Sequence, residues 1–290
     1  MTVTELRPGG KIRKLDEDGV LGIDIPDRPT APVTAVVPFY NEEKYIEATL
    51  RSLVDQEVRP ERILLIDNGS TDDSVAICEQ FAADRPGIDM SILDVDKPGK
   101  IHALEAVTSK LGTEYVAFCD ADTKYPKHYF RKAMALFSSG DANLVGILAV
   151  GVTQPARFVA SSAFRRKTAF VGRVLAKQCH SGGFGQVFRT NAYKRIGGYD
   201  ASLWPYVLED HEIVHRMLSV GTILYDAAFW CEPSNRRSDR SDVTWTLREQ
   251  LLYHFTPYRL KDWYFHRFLG PRLQDRKMTN EALRRQPWSS

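Results

Sequence analysis

Residues 62–84, RILLIDNGSTDDSVAICEQFAAD, contain the pattern that decides the fold. The run ILLI has the length and apolar character of a buried strand, and the polar turn DNGSTDD follows it. In the rest of the stretch, apolar residues recur at the spacing of a helix. A strand that is apolar on both sides is typical of a parallel sheet with helices on both faces. The stretch therefore predicts one strand–turn–helix unit of an α/β protein.

The same order of strand, turn and helix surrounds this stretch. PVTAVVPFYN (32–41) predicts a strand that ends at Pro38, and the residues after it predict a helix. MSILDVD (90–96) and EYVAFCDADT (114–123) predict two further strands, separated by the helical segment KIHALEAVTSK (100–110). In parallel sheets of this kind, ligands bind beyond the carboxyl ends of the strands. Three of the four predicted strand ends carry carboxylates, so we expect a binding site along this edge.

Beyond residue 140 the alternation is less regular. ANLVGILAVGV and GQVFR predict strands, TILYDAAFWCEP predicts a bent strand or a strand pair, and SAFRRKTAFVGRVLAK predicts a basic amphipathic helix. We expect a loosely ordered leader, a catalytic domain and a C-terminal extension that packs on the core or on a membrane surface. These parts comprise residues 1–30, 31–235 (nucleotide-binding half 31–125, acceptor-binding half 126–235) and 236–290.

The composition argues against several classes of protein. Of 290 residues, 43% are hydrophobic and 26% charged, which is ordinary for a folded domain, and a net charge of +2 is too small to indicate a nucleic-acid binder. No apolar run reaches the length of about 20 residues that spans a bilayer. The N-terminus lacks the apolar segment of a secretory signal. Scattered, unpaired cysteines favour free thiols and a cytoplasmic location, with peripheral contact to the inner face of a membrane as an alternative.

Asp120 and Asp122 are the strongest candidates for a metal site. Two carboxylates two residues apart, directly after a buried strand, can both reach one hard cation such as Mg²⁺ or Mn²⁺. A divalent cation there could neutralise a diphosphate and stabilise it as a leaving group. The alternative is an acidic turn that caps the next helix. A calcium loop is excluded because Lys124 stands where the third ligand belongs.

Two further carboxylates suit a nucleoside. Asp67 closes the strand ILLID and could accept a hydrogen bond from a base N–H or a ribose hydroxyl, although an Asx-turn would explain it equally well. Glu42 follows the first strand and could bind a ribose hydroxyl, or merely complement a helix dipole.

Two segments suit phosphate groups. Gly99 and Lys100 begin a predicted helix, where backbone N–H groups and an ammonium group can meet a phosphate. The polar stretch NRRSDR offers guanidinium groups that could grip a diphosphate, with a solvated charge run as the alternative. The guanidinium groups belong to Arg236, Arg237 and Arg240.

The glycine-rich stretch GGFGQVF (182–188) differs from a dinucleotide-binding fingerprint. Phe188 takes the position of the last glycine, and the stretch precedes a strand. We expect instead that Gly182, Gly183 and Gly185 allow a substrate to approach the backbone closely.

The stretch LEDHEIVHRM (208–217) has two interpretations. His211 and His215 fit H-E-x-x-H, in which two imidazoles on one helix face bind zinc in a metalloprotease. Glu209 and Asp210, just before the helical run, could instead supply a carboxylate base at the edge of a pocket. The extended zinc motif fails because Leu218 is not glycine, so we favour the carboxylate base, with His211 at the edge of the acceptor site.

Taken together, VVPFYNE, LLIDNGSTDDS, FCDADT, GGFGQVFRTNAYKRIGGYD and LEDHEIVHRM resemble the family 2 glycosyltransferases of GT-A fold, in the family's order over roughly residues 33–235. The resemblance implies a Rossmann-like, mixed but mostly parallel sheet flanked by helices. It also implies an inverting enzyme that uses a nucleotide-diphosphate sugar, UDP-linked rather than GDP- or dTDP-linked, with Mg²⁺ or Mn²⁺.

The resemblance also implies roles for individual residues. Pro38, Tyr40 and Glu42 would line the nucleoside pocket, and Asp67 would contact the base. Asp120 and Asp122 would form the D-x-D metal site. Asp210 would be the general base beside Glu209, and residues 182–185 would lie on the acceptor side.

Some features depart from the polymerising members of the family. The Q-x-x-R-W motif is missing, since Arg240 and Trp245 stand at the wrong spacing, and no transmembrane stretch flanks the domain. We therefore expect transfer of a single sugar to a small-molecule or lipid-linked acceptor. A sugar nucleotidyltransferase and a nucleotide-sugar binder without turnover are the alternatives.

The aromatic and basic segment 245–272 has two interpretations. It could rest on an anionic membrane as an interfacial element, or its aromatic side chains could close over the acceptor side of the core. We favour packing on the core.

Overall fold

The computed structural model describes residues 28–152, 158–234 and 245–284, together with two short strands before them. In these parts of the chain, ten strands form one sheet in the order β1-β2-β5-β4-β3-β6-β9-β8-β10-β7. The strands are β1 Val3–Thr4, β2 Ile12–Lys14, β3 Thr30–Phe39, β4 Arg59–Asp67, β5 Asp89–Asp94, β6 Tyr115–Cys119, β7 Thr123–Lys124, β8 Leu144–Gly151, β9 Gly185–Arg189 and β10 Thr222–Pro233.

Helices cover both faces of this sheet. They are α1 Ile46–Val54, α2 Ser74–Ala83, α3 Lys100–Glu105, α4 Tyr129–Ser139, α5 Phe158–Val174, α6 Thr190–Arg195, α7 Glu209–Met217, α8 Leu247–Phe255, α9 Gly270–Asp275 and α10 Asn280–Arg284. Short 3₁₀ turns at Thr108–Lys110 and Tyr258–Leu260 and a π-helix at Trp263–Leu269 complete the described elements. The mixed, mostly parallel α/β architecture expected from the sequence is confirmed.

Strands β5, β4, β3 and β6 are parallel to one another and form the centre of the sheet. The strand predicted to end at Pro38 continues to Phe39. Pro38 pairs with Ile66 of β4, but the pairing of β3 with β6 stops at Val36. The missing N–H of Pro38 therefore leaves no gap in the ladder on the β6 side, which is why a proline is tolerated here.

The second half of the sheet turns antiparallel at β9, which lies between β6 and β8. Strand β10 runs parallel to β8, and its register shifts between Tyr225 and Trp230, so the segment predicted as a bent strand or a strand pair is one bent strand. Its last residues pair with β7, directly after Asp122. This pairing brings the end of β10 to the acidic turn.

The apolar core lies on the two faces of the sheet. One cluster joins Leu50 of α1, Phe81 of α2 and Phe130 of α4 to the sheet, and the other joins Leu104 of α3, Tyr193 of α6 and Val214 of α7. The near-continuous apolar strands are therefore buried on both sides, as the pattern predicted.

The C-terminal extension packs on the catalytic core through a third apolar cluster. Tyr253, Tyr264 and Phe265 are buried there against Trp204 and Val207, which directly precede α7. Thr246 begins α8 with a capping box to Glu249. The buried aromatic side chains of the extension thus hold the segment in which the predicted base lies.

Two short strands from the first 30 residues lie on the sheet. Strand β2 pairs antiparallel with β5, and β1 pairs with β2. Without β2, β5 would be an edge strand whose N–H and C=O groups are available for pairing.

The cysteines and the described helices are consistent with a folded domain that keeps its thiols in the interior. Cys78, Cys119, Cys179 and Cys231 are all buried free thiols, and burial raises the pKa of Cys78 and of Cys119 to about 12. Within the described ranges, every helix is too short or too polar to span a bilayer.

Candidate active site

The loops after β3 and β4 are joined at the carboxyl edge of the sheet. The N–H of Asn41 donates to Ser70 Oγ at 3.1 Å, and the N–H of Thr71 donates to Asn41 Oδ1 at 2.8 Å. The N–H of Glu42 donates to Ser74 Oγ at 2.7 Å, and Glu42 itself is buried. The two loops that carry the predicted nucleoside contacts Pro38, Tyr40, Glu42 and Asp67 therefore form one rigid rim.

Asp67 forms the Asx-turn that the sequence left open. Its carboxylate accepts from the N–H of Ser70 at 2.9 Å and from the N–H of Gly69 at 3.2 Å. Each carboxylate oxygen has further acceptor capacity, so this turn is compatible with a contact to a base.

Asn68 is a residue of this rim that sequence reasoning missed. Its side chain is buried and donates to the carbonyls of Val95 (3.1 Å) and Lys97 (2.8 Å), while its Oδ1 accepts from the N–H of Gly99 (2.8 Å). The N–H of Gly99 therefore donates within the protein, and the phosphate contact predicted for Gly99 and Lys100 stays a prediction. Glycine is required there by a φ of 119°.

Replacing Asn68 by alanine is expected to lower the free energy of unfolding by about 2 kcal/mol, because buried backbone groups lose their partners. Urea denaturation measures this loss. The exposed Asn143→Ala is the matched control and should leave the midpoint unchanged. Equal midpoints for the two variants would contradict a structural role for Asn68.

The acidic turn after β6 is held from two sides. Thr49 Oγ1 of α1 donates to the carbonyl of Ala121 at 2.7 Å. Ser234, at the end of β10, donates through its hydroxyl to Asp122 Oδ2 at 2.8 Å and through its N–H to the Asp122 carbonyl at 3.0 Å. The Asp122 carboxylate is therefore oriented by a residue 112 positions away in sequence, which no local pattern could indicate.

The donor set suits a hard divalent cation. Mg²⁺ and Mn²⁺ take oxygen ligands, and Mg²⁺ in particular is usually held by one or two carboxylates together with phosphate oxygens of the substrate. Among the described residues, no group of three or more His, Cys, Asp or Glu side chains forms a complete protein cage. Carboxylates on one short turn fit a metal whose remaining ligands come from a diphosphate.

Lys100 connects the acidic turn to the E-D pair. Its Nζ lies 2.5 Å from Asp120 Oδ1 and 3.9 Å from Glu209 Oε1. A Cβ placed on Gly183 would lie 3.4 Å from Lys100 Nζ and 3.5 Å from Asp210 Cβ. The D-x-D turn, the glycine-rich loop and the E-D pair, which are far apart in sequence, thus meet around one ammonium group.

The backbone places Asp210 in the first turn of α7. Leu208, just before the helix, has φ 67°, a left-handed conformation that leucine rarely adopts. Buried Gln186 of β9 donates to the Asp210 carbonyl at 3.3 Å and accepts from Tyr199 at 2.8 Å. Gln186 was missed from the sequence, although a polar residue inside the apolar strand GQVFR is a signal for it.

The two neighbouring carboxyls have opposite pKa shifts. Burial raises the pKa of Glu209, and although the Lys100 charge opposes the shift, Asp210 adds to it. Burial also acts to raise the pKa of Asp210, but the charge and hydrogen bonds of His211, with Lys100, outweigh it and hold this pKa below its usual value. Burial beside a second carboxyl would by itself raise the pKa of Asp210, and the structure gives the opposite because His211 is adjacent. Asp210 is therefore the stronger acid of the pair.

His211 links Asp210 to the C-terminal extension. Its N–H and its ring Nδ1 both lie 3.0 Å from Asp210 Oδ1. The ring meets Trp245 edge-on at 5.1 Å between centroids and Tyr253 at 5.6 Å. The extension thus packs against the ring that lowers the pKa of Asp210. Neither Trp245 nor Tyr253 was identified from the sequence as a site residue.

A cavity of about 400 Å³ lies beside this histidine, between α5 and α8. A neighbouring space of about 270 Å³ reaches Gly182 and shares His211 as a wall. Side chains common to both spaces are Phe164, Thr168, His180 and His211. His211 therefore lies in the wall of both spaces.

Replacing His211 by phenylalanine keeps the packing against Trp245 and Tyr253 but removes the ring nitrogen. Because His211 lowers the pKa of Asp210, its loss should raise that pKa and move the acid limb of the kcat/KM profile to higher pH. Rates of nucleoside-diphosphate release across the pH range measure the shift. His254→Phe, on the same cavity, is the control. Identical pH profiles for the wild type, His211→Phe and His254→Phe would show that His211 does not lower the pKa of Asp210.

The two histidines of the H-E-x-x-H pattern have separate partners. His215 Nε2 lies 2.8 Å from Asp262 Oδ1, and its ring stacks on Phe265 at 5.4 Å. His211 pairs with Asp210 instead. The geometry therefore favours the carboxylate base over the zinc metalloprotease.

The three predicted acceptor-side glycines differ in their surroundings. A Cβ on Gly185 would meet Ala149 Cβ at 2.7 Å, and one on Gly182 would meet the Phe184 ring at 2.5 Å. Both positions therefore require glycine for the protein's own packing. Only Gly183 adjoins Lys100 and Asp210. Arg236, Arg237 and Arg240 lie outside the described residues.

Comparisons with known proteins agree with this arrangement. The chain matches the family model for Glycosyl transferase family 2 over residues 34–196. It is 28% identical over 209 residues to the succinoglycan biosynthesis protein ExoA of Rhizobium meliloti (strain 1021), covering 64% of this chain and 58% of that protein. It is 24% identical over 163 residues to the poly(ribitol-phosphate) beta-N-acetylglucosaminyltransferase TarS of Staphylococcus aureus (strain MW2). This match covers 56% of this chain and 28% of that protein. The chain thus spans less than two thirds of either relative.

Solved structures share the fold. The mannosyltransferase PcManGT from Pyrobaculum calidifontis, in complex with GDP-Man and Mn²⁺, superposes with a TM-score of 0.61 at 19% identity, covering 87% of this chain and 74% of that one. Residues 1–349 of S. aureus TarS with UDP-GlcNAc give 0.54 at 20% identity, covering 82% and 71%. The GT-A fold expected from the sequence is confirmed. Because the family model spans more than half of the 290 residues and its segment supplies the rim, the acidic turn and the glycine-rich loop described above, the chain belongs to glycosyl transferase family 2.

Proposed function

We propose that the protein is an inverting glycosyltransferase that moves one sugar from a nucleotide-diphosphate sugar to an acceptor hydroxyl. The observation that carries the proposal is the contact of Lys100 with both Asp120 and Glu209. This contact brings the acidic turn and the E-D pair into one site. A donor diphosphate at the acidic turn then lies close to a carboxylate that can take a proton.

The nucleoside half of the donor binds at the rim after β3 and β4. Pro38, Tyr40 and Glu42 line the pocket, and Asp67 accepts a hydrogen bond from the base. Mutual hydrogen bonds between the two loops support this role, because a rigid rim loses little entropy on binding. We favour a UDP-linked sugar, with Arg236, Arg237 and Arg240 at the diphosphate.

Asp122 and Asp120 would hold Mg²⁺ or Mn²⁺. When bound, such a cation offsets the negative charge that develops on the departing nucleoside diphosphate. Ser234 orients Asp122, and Lys100 orients Asp120 while adding its own positive charge. The protein's part is to fix these groups before the donor arrives.

Asp210 acts as the general base. Both hydrogen bonds that its carboxylate accepts from described residues are on Oδ1, which leaves Oδ2 to take a proton. The acceptor hydroxyl transfers its proton to Oδ2 as its oxygen forms a bond to the anomeric carbon. The bond between that carbon and the diphosphate oxygen breaks on the opposite face, so the configuration inverts. The low pKa of Asp210 keeps it ionised at neutral pH.

The acceptor enters through the space beside His211, with Gly182 in its wall and Gly183 next to Asp210. Aromatic and histidine side chains dominate the adjoining cavity. This lining suits an acceptor with an apolar part, either a small molecule or a lipid-linked one.

Thermal-shift measurements with UDP-, GDP- and dTDP-sugars in Mn²⁺ test the donor. We expect stabilisation by one of them, loss of most of it in EDTA, and release of a nucleoside diphosphate on incubation with acceptors. Release of pyrophosphate would indicate a nucleotidyltransferase instead. Tight donor binding without hydrolysis or transfer to any acceptor would indicate a nucleotide-sugar binder.

A further inference from the structure

Two helices flank the cavity, and each exposes large apolar side chains beside it. On α8, Leu247, Leu251 and Phe255 follow one another at intervals of four residues, and Phe255 is 78% exposed. On α5, Phe170 and Val174 are 67% and 63% exposed. Residues four apart lie on the same face of a helix, so each set forms a strip. We call these five residues the apolar rim.

The apolar rim adjoins the positions that line the cavity. Lys167 and Val171 of α5, and Gln250 and His254 of α8, face the cavity. The segment that follows α5 is tied to α8, since the Gln178 amide and His254 exchange two hydrogen bonds of 2.8 Å. Both strips therefore belong to one surface around one cavity.

The charge of this surface has one sign on α5. Residues 162–177 contain no acidic residue, and their basic residues are Arg165, Arg166, Lys167, Arg173 and Lys177. Arg166 and Arg173 are exposed and stand in the same stretch of helix as Phe170 and Val174. In α8, the acidic residue Glu249 is buried and paired with Arg276 at 2.8 Å. A partner for this surface must accept apolar side chains and carry negative charge.

We propose that the apolar rim docks on an anionic lipid bilayer, with the cavity facing the lipid. Exposed apolar side chains beside Arg and Lys match the boundary between acyl chains and anionic headgroups. A second copy of the chain fits less well, because a two-fold contact would bring the same basic helices together. Tyr253 and Tyr264 are buried against the core. Their burial is compatible with docking, because the residues that the segment 245–272 contributes to the apolar rim are different ones, on α8.

Docking would place an acceptor anchored in the bilayer next to the cavity, whose wall includes His211 and therefore adjoins Asp210. This consequence rests on the proposed transfer reaction, but docking itself does not. The two can be separated, because a protein that cannot transfer a sugar should still bind lipid.

Co-sedimentation of the full chain with vesicles tests the proposal. We expect binding to phosphatidylcholine vesicles that contain phosphatidylglycerol, little binding to phosphatidylcholine alone, and weaker binding as salt increases. Arg166→Glu with Arg173→Glu should reduce partitioning at least about tenfold, and so should Phe170→Ser with Phe255→Ser. Asp210→Asn should bind as the wild type does.

Arg51→Glu is the matched control, because Arg51 is exposed on α1, which contributes no residue to the apolar rim or to the lining of the cavity. Its replacement changes the net charge by the same amount per site. It should retain binding. Failure of the full chain to bind anionic vesicles at low salt would overturn the proposal. A dimer in solution that dissociates in the Phe170→Ser with Phe255→Ser variant would also overturn the proposal. A second copy of the chain would then cover this surface.

Discussion

Replacing Asp210 by asparagine is expected to lower kcat about a thousandfold, since general-base catalysis contributes on that scale. The amide keeps the shape of the side chain and can still meet His211, but it cannot take the acceptor's proton. Donor binding should change little, because the substitution leaves the loops after β3 and β4 and the acidic turn unchanged. Steady-state rates of nucleoside-diphosphate release and donor titrations measure the two effects separately.

The exposed Asp141→Asn serves as the control for this variant and should behave as the wild type does. Unchanged turnover in Asp210→Asn would remove Asp210 from the mechanism. Glu209→Gln would then be the next variant, because Glu209 contacts Lys100 and has the raised pKa.

Replacing Asp122 by alanine should lower kcat/KM by about a hundredfold or more, as expected when a cation worth several kcal/mol is lost. Donor affinity should fall in Mn²⁺ and become nearly independent of EDTA. Isothermal titration with the donor, with and without Mn²⁺, measures both results.

Ser234→Ala gives a graded comparison for this variant. It keeps the carboxylate of Asp122 but removes the hydroxyl 2.8 Å from Oδ2, so we expect a loss of about tenfold. Asp141→Ala should have no effect. Full metal dependence in Asp122→Ala would show that Asp122 is not an essential ligand of the cation.

Much of the structure of residues 31–125 can be predicted because the information that specifies it is local. The apolar run before Asp67 and the helical spacing after it are read within one unit of the chain. Strand β4 and helix α2 lie where the pattern indicates. The third helix is an exception, since the segment predicted over 100–110 divides into α3 and a 3₁₀ turn.

The site was only partly predictable, for the same reason. Asp120 and Glu209 could be named as candidates from motifs, but their link through Lys100 depends on three elements that meet only in the folded chain. Asn68 and Gln186 act through hydrogen bonds to backbone atoms of other segments of the chain. Such bonds leave no periodic mark on the sequence.

The sequence by itself determined the parallel centre of the sheet and the carboxylates at its edge, because strand pattern and strand ends are properties of neighbouring residues. Only the tertiary structure decided that the pKa of Glu209 is raised and that of Asp210 is lowered. Their pKa values depend on burial, on Lys100 and on His211, whose ring is held by Trp245 and Tyr253 of the extension. Electrostatic energies follow distance and burial in space, and those are fixed only when remote segments pack together.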